Sequence, residues 1–90
     1  MAVVEKDLKI QNELGLHARP AALFVQTANE FKAEIVVEKG SQKVNGKSIM
    51  GIMMLAAAKG NSIKIRARGH DAQEALTALE KLILAKFGEK

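Results

Sequence analysis

An imidazole, a guanidinium and a proline fall within six consecutive residues, Gly15-Leu16-His17-Ala18-Arg19-Pro20, where a loop pattern gives way to a helical one. The chemistry they suit is the handling of phosphate. The first backbone amides of a helix have no intrahelical partner, so an anion there meets free donors and the positive end of the helix dipole. Pro20 fits the opening turn, because its missing N–H would have been unpaired anyway and its fixed φ already suits a helix. His17 can then act as a nucleophile toward phosphorus, with Arg19 and the first-turn amides holding the transferred oxygens. On spacing alone, a histidine at a helix start is more often a cap or a solvated side chain than a nucleophile.

The elements that must position these groups follow from periodicity. Val3 to Ile10 starts a strand, and Gln11 to Leu16 connects it to a helix whose apolar stripe is Ala21, Phe24, Val25, Ala28 and Phe31. Residues 33–39 are rich in Ile and Val, Gly40-Ser41 supplies a turn, and Gln42 to Asn45 can pair back as a short strand. From Ser62 to Arg68, Ile63, Ile65 and Ala67 alternate with Lys64, Arg66 and Arg68. Asp71 and Glu74 form a capping-box pattern ahead of Ala75, Leu76, Leu79, Leu82, Ile83 and Phe87, with Gly88 placed to end that helix. Strands this charged on one side should leave one sheet face to water and the other to helices. The expected class is α+β, in the order βαββαβα.

The helix expected over about Ser48 to Ala57 is apolar around most of its circumference. Such a helix is either buried on all sides or carries a docking patch. If Ile52, Leu55 and Ala56 face the sheet, then Ile49, Met50 and Met53 face solvent, and methionine suits a surface that serves several partners in turn. Ser48 reads as the N-cap of this helix. A phosphate on the same hydroxyl would be tolerated at a helix start while placing negative charge beside the patch.

Other candidates are weaker. His70, between Gly69 and the last helix, reads as a solvated loop residue, and two distant histidines without cysteine give no metal-site spacing. Lys64, Arg66 and Arg68 form a basic row. Without Trp or Tyr, and with all three Phe in helix stripes, the sheet offers no stacking platform for bases, so direct nucleic-acid binding is not expected. Ninety residues with 48% hydrophobic content make one domain, 1–90. The absence of cysteine fits a reducing compartment, and no apolar stretch approaches a membrane span, so a cytoplasmic location is expected. The net charge of +4 favours acidic surfaces or anionic groups.

Taken together, Gly15-Leu16-His17-Ala18-Arg19-Pro20 and Lys47-Ser48-Ile49-Met50-Gly51-Ile52-Met53 closely resemble the HPr family. These are the histidine-containing phosphocarriers of the bacterial phosphoenolpyruvate-dependent sugar phosphotransferase system. The likeness runs nearly end to end, and the two motifs stand at the family's relative spacing. The resemblance implies an open-faced β-sandwich, a four-stranded antiparallel sheet with three helices on one face. It makes His17 the phosphoryl acceptor, carrying the group on Nδ1 as pros-phosphohistidine, with Arg19 stabilising the phosphate and the backbone of Ala18 and Arg19 binding it. Ser48 matches the family's regulatory phosphorylation site. Ala18, Ala22, Lys47, Ile49, Met50, Gly51 and Met53 match its docking surface.

The partners so implied are enzyme I as donor and enzyme IIA domains as acceptors, with HPr kinase/phosphorylase and a catabolite-control transcription regulator acting through Ser48. No cofactor or metal is implied, and the expected state is a monomeric phosphoryl-transfer protein rather than a stand-alone enzyme. A rival reading is a purely regulatory interaction protein switched at Ser48. The chain departs from the commonest family pattern at Gly46, where a larger residue is usual, at Ala56, often a glycine, and at Met54, which replaces a small polar residue.

Overall fold

The alternation of Ile63, Ile65 and Ala67 with charged residues makes one side of their strand wholly apolar, which suits the centre of a half-buried sheet. In the computed structural model, which describes residues 2–89, this strand is β4 (Ser62–Arg68) and it has neighbours on both sides. On one edge it pairs antiparallel with β1 (Val3–Lys9), Val3 opposite Arg68 and Lys9 opposite Ser62. On the other it pairs antiparallel with β2 (Glu34–Lys39), Glu34 opposite Arg68, and β2 continues through the Gly40-Ser41 turn into β3 (Gln42–Asn45). The sheet order is β1-β4-β2-β3.

Three helices cover one face of this sheet: α1 (Ala18–Ala28), α2 (Ile49–Met54) and α3 (Ala72–Leu84). The architecture is the α+β open-faced sandwich expected from the sequence. Ile63, Ile65 and Ala67 are buried with Ile35 and Val37 of β2, and the helices meet them with Phe24, Ile52, Leu79 and Ile83. Each large aliphatic or aromatic side chain so buried contributes roughly 1.5–3 kcal/mol. The opposite face is a mixed charged surface, where Glu5 bridges to Arg66 at 3.2 Å.

Four local features differ from the sequence reading. Asp71 does not cap α3 with its side chain; its carboxylate instead accepts from the amides of Lys32 and Ala33, both at 2.8 Å, and so ties the α1–β2 connection to the start of α3. Those two bonds, the one from Lys32 foremost, hold its pKa below the ordinary value of 3.8. Next, α3 stops at Leu84. A 3₁₀ turn follows over Lys86–Gly88, with Phe87 buried in the core at φ 55° rather than carried on the helix face.

The remaining two differences concern α2. It is six residues long, shorter than the expected span of about Ser48 to Ala57, although its exposure follows the patch alternative, with Ile52 and Leu55 buried while Ile49, Met50, Met53 and also Met54 are exposed. Ala56 does not face the sheet. It is exposed, with a left-handed φ of 49°, and Ala57 takes the inward place. That conformation explains why glycine suits position 56. At Gly46, a Cβ would come within 2.4 Å of Ile35 Cγ2, so the room of a larger residue is filled from β2.

Candidate functional site

His17 stands at the N-cap of α1, extended at φ −73° and ψ −174°, with its side chain free of any capping bond. Its carbonyl accepts from Ala21 N at 3.0 Å and closes the first turn. Among the described residues, the amides of Ala18 and Arg19 have no hydrogen-bond partner, and the third helical residue, Pro20, has no N–H to satisfy. The first turn of α1 contains no acidic residue, so the positive end of the helix dipole is uncompensated from within the helix. Arg19 is exposed and, among the described residues, enters no ion pair.

The loop that presents His17 is fixed by a close backbone approach. Gly15 has φ 65°, and a Cβ there would lie 2.3 Å from the carbonyl oxygen of Ala57, so only glycine fits. The next residue continues the contact, Leu16 N donating to Ala57 O at 2.9 Å. Beneath it, the buried side chain of Asn12 donates from Nδ2 to the carbonyl of Gly15 at 2.7 Å. The connection after α2 thereby becomes one wall of the site. His17 opens onto a depression of about 260 Å³ shared with Leu14, Met53, Ala56, Ala57 and Ala58.

Among the described residues, the imidazole has one polar contact, from Nε2 to Glu89 Oε2 at 3.1 Å. Glu89 is 72 positions away in sequence. Neither it nor Asn12 nor Leu14 stood out in the sequence, and no spacing could have indicated them. A carboxylate only accepts, so in a neutral ring this contact favours the tautomer with the proton on Nε2 and the lone pair on Nδ1. An imidazole at the N-cap of a helix whose first two amides are unpartnered, with a guanidinium two residues on, brings together the groups needed to form a bond to phosphorus and to hold the oxygens carried with it.

Ser48 caps α2, its Oγ accepting from Gly51 N at 3.0 Å. Of the expected docking residues, Ala18, Ile49, Met50 and Met53 are exposed, while Ala22 and Gly51 are half-buried. Lys47 is turned inward, its Nζ donating to the carbonyl of Phe31 at 2.7 Å, so its charge steadies the exit of α1. Two exposed residues extend the apolar surface beyond the expected set: Met54, 65% exposed, and Leu14, 72% exposed on the other side of the depression.

Comparison with known proteins identifies the family. The family model described as "PTS HPr component phosphorylation site" matches residues 4–85. The chain belongs to the HPr phosphocarrier family of the phosphotransferase system. Phosphocarrier protein HPr of Neisseria meningitidis serogroup A is 52% identical over 87 residues, spanning 97% of this chain and 98% of that one. The HPr-like protein Crh of Halalkalibacterium halodurans is 53% identical over 77 residues, 86% of this chain and 92% of the relative. Among solved structures, HPr-C-His from Thermoanaerobacter tengcongensis superposes with a TM-score of 0.94 at 56% identity, covering 97% of this chain and 98% of that one. The HPr fold thus accounts for all three helices and the four-stranded sheet described above.

Proposed function

We propose that this protein accepts a phosphoryl group on Nδ1 of His17 from phosphorylated enzyme I and passes it to enzyme IIA domains of sugar transporters. The observation that carries the reading is the setting of His17, at the unpartnered N-cap of α1 with Nε2 engaged by Glu89 and Nδ1 free of that contact. Family membership supports it independently. A carrier must hold its phosphoramidate long enough to diffuse yet release it on demand, so the ligand shell should be sparse. Two amides and the Arg19 guanidinium at an exposed helix end meet that need. Incubation with phosphoenolpyruvate and enzyme I should add one phosphoryl group by mass spectrometry, and none to a folded His17→Ala variant. Normal uptake by that variant would refute the reading.

A regulatory role through Ser48 is the second reading, favoured by the position of its hydroxyl beside the exposed Ile49, Met50 and Met53 and by similarity to proteins named Crh. Phosphorylation there, by an enzyme of the HPr kinase/phosphorylase type, would weaken docking by placing an ion against an apolar surface that must shed water. The phosphoester would survive mild acid, whereas a phosphoramidate on His17 would not, so one acid treatment distinguishes the two labels.

A further inference from the structure

We propose that Glu89, held in place by the buried amide of Asn12, is a positioning residue for His17: it fixes the Nε2–H tautomer and balances the charge the ring gains on phosphorylation. The proposal rests on the phosphocarrier reading for its second half only. Its first half concerns the unmodified protein.

Both oxygens of the Glu89 carboxylate are engaged. Oε2 lies 3.1 Å from His17 Nε2, and Oε1 accepts from Asn12 Nδ2 at 3.2 Å. The same Nδ2 donates to the Gly15 carbonyl at 2.7 Å, so it faces two acceptors and the amide can adopt only one orientation. Asn12 is 1% exposed, which makes it a rigid support under both the His17 loop and the carboxylate. Glu89 itself is only 20% exposed, in contrast to the fully surface pair of Lys59 with Glu13, where Glu13 is 74% exposed. An interaction partly withdrawn from water is screened less and fixes geometry more.

The chain is bent expressly to reach this point. Lys86, Phe87 and Gly88 are all left-handed, at φ 55°, 55° and 76°, and two of the three have a Cβ that disfavours such a conformation. Phe87 is anchored in the core, and Glu89 N donates to Lys86 O at 2.9 Å. Strain of this kind persists only where the surroundings enforce it, and here the turn returns Glu89 to the imidazole.

The chemistry follows from the proton's place. The Nδ1 lone pair attacks phosphorus of a histidine phosphoramidate on the donor protein. The donor's P–N bond breaks, and its electron pair stays on the donor ring. His17 is then substituted at Nδ1 and protonated at Nε2, so its ring is cationic and faces the Glu89 carboxylate. In onward transfer the Nδ1–P bond breaks, the pair returns to Nδ1, and the ring leaves neutral with its Nε2 proton unmoved. This is the part a buried aspartate plays for the histidine of a serine protease triad.

Nitrogen-15 NMR of the imidazole in its neutral form provides the test. Wild type should show a protonated Nε2 and an unprotonated Nδ1, while Glu89→Ala should show a mixture of tautomers. The Glu89→Gln variant retains a carbonyl acceptor without charge, so it should keep the tautomer. In phosphoryl transfer from enzyme I, Glu89→Ala should lower the rate constant about tenfold with KM little changed, and Glu89→Gln should fall between it and wild type. Unchanged tautomer populations in Glu89→Ala, or equal transfer rates in all three proteins, would overturn the proposal. Wild type that keeps the tautomer but takes up no phosphoryl group would instead refute the phosphocarrier reading.

Discussion

Arg19 and Ala56 show at the scale of single residues how this site balances strength against release. Arg19 is exposed at the second position of α1, two residues from His17, and on the phosphocarrier reading its planar fork would hold oxygens of a phosphorylated His17. Lysine would preserve the charge and lose the fork. Arg19→Lys should therefore slow phosphoryl transfer from enzyme I by about tenfold while docking affinity, measured by calorimetry, stays nearly constant. Equal rates would remove Arg19 from the transfer step. Ala56 makes the opposite point, since it carries a Cβ at φ 49° in the wall of the depression. Replacement by glycine should relieve that strain and raise stability by about 1 kcal/mol in urea denaturation, the gain being offset in part by a more flexible unfolded chain. A less stable Ala56→Gly protein would mean the left-handed turn is not strained.

Elements position these residues through contacts that sequence patterns only partly disclose. The alternation in β4 and most of the apolar stripe of α1 were legible because each depends on a local period, and the structure buries Ile63, Ile65, Ala67, Ala21, Phe24, Val25 and Ala28, whereas Phe31 lies beyond the end of α1 and is half-buried. The cap of α3 was not legible. A carboxylate at Asp71 can bond to its own helix or to another segment, and only the approach of Lys32 and Ala33 decides between them. Phe87 likewise continues the α3 periodicity yet is pulled off the helix, because core packing outweighs local propensity there. The Asp71 bonds predict a pH effect. A carboxyl whose folded pKa is lowered contributes stability above its unfolded value, and that contribution disappears as pH falls through the folded one. Asp71→Ala should be less stable than wild type near neutral pH, with the gap closing as pH drops below about 4. A gap that persists unchanged into acid, followed by circular dichroism, would contradict this account.

For α2 the prediction concerns docking. Ser48→Asp can still cap the first turn, so unfolding should remain cooperative, but its charge lies beside Ile49, Met50 and Met53. Binding to enzyme I should weaken, and weaken further in protein phosphorylated at Ser48, since aspartate has about half the charge of a phosphate group. Unchanged affinity in both forms by calorimetry would mean that the methionine-rich surface is not where enzyme I docks.

At the scale of the whole molecule, the sheet supplies a rigid floor while chemistry is gathered at one end from segments distant in sequence. Gly15, Ala57 and the 3₁₀ turn before Glu89 meet there. His17 and Arg19 were readable as a pair because they share one motif. The carboxylate that orients His17 was not, because nothing in the spacing of a single chain marks a contact 72 positions long. Carriage requires that this assembly both capture and surrender its cargo. The most direct measurement is a chase: protein labelled on His17 with radioactive phosphate, freed of enzyme I and phosphoenolpyruvate, is mixed with a purified enzyme IIA domain and sampled by rapid quench. The account predicts that acid-labile label leaves His17 and appears on the IIA domain within a single turnover. Label that remains on His17, or is lost only to water, would contradict it.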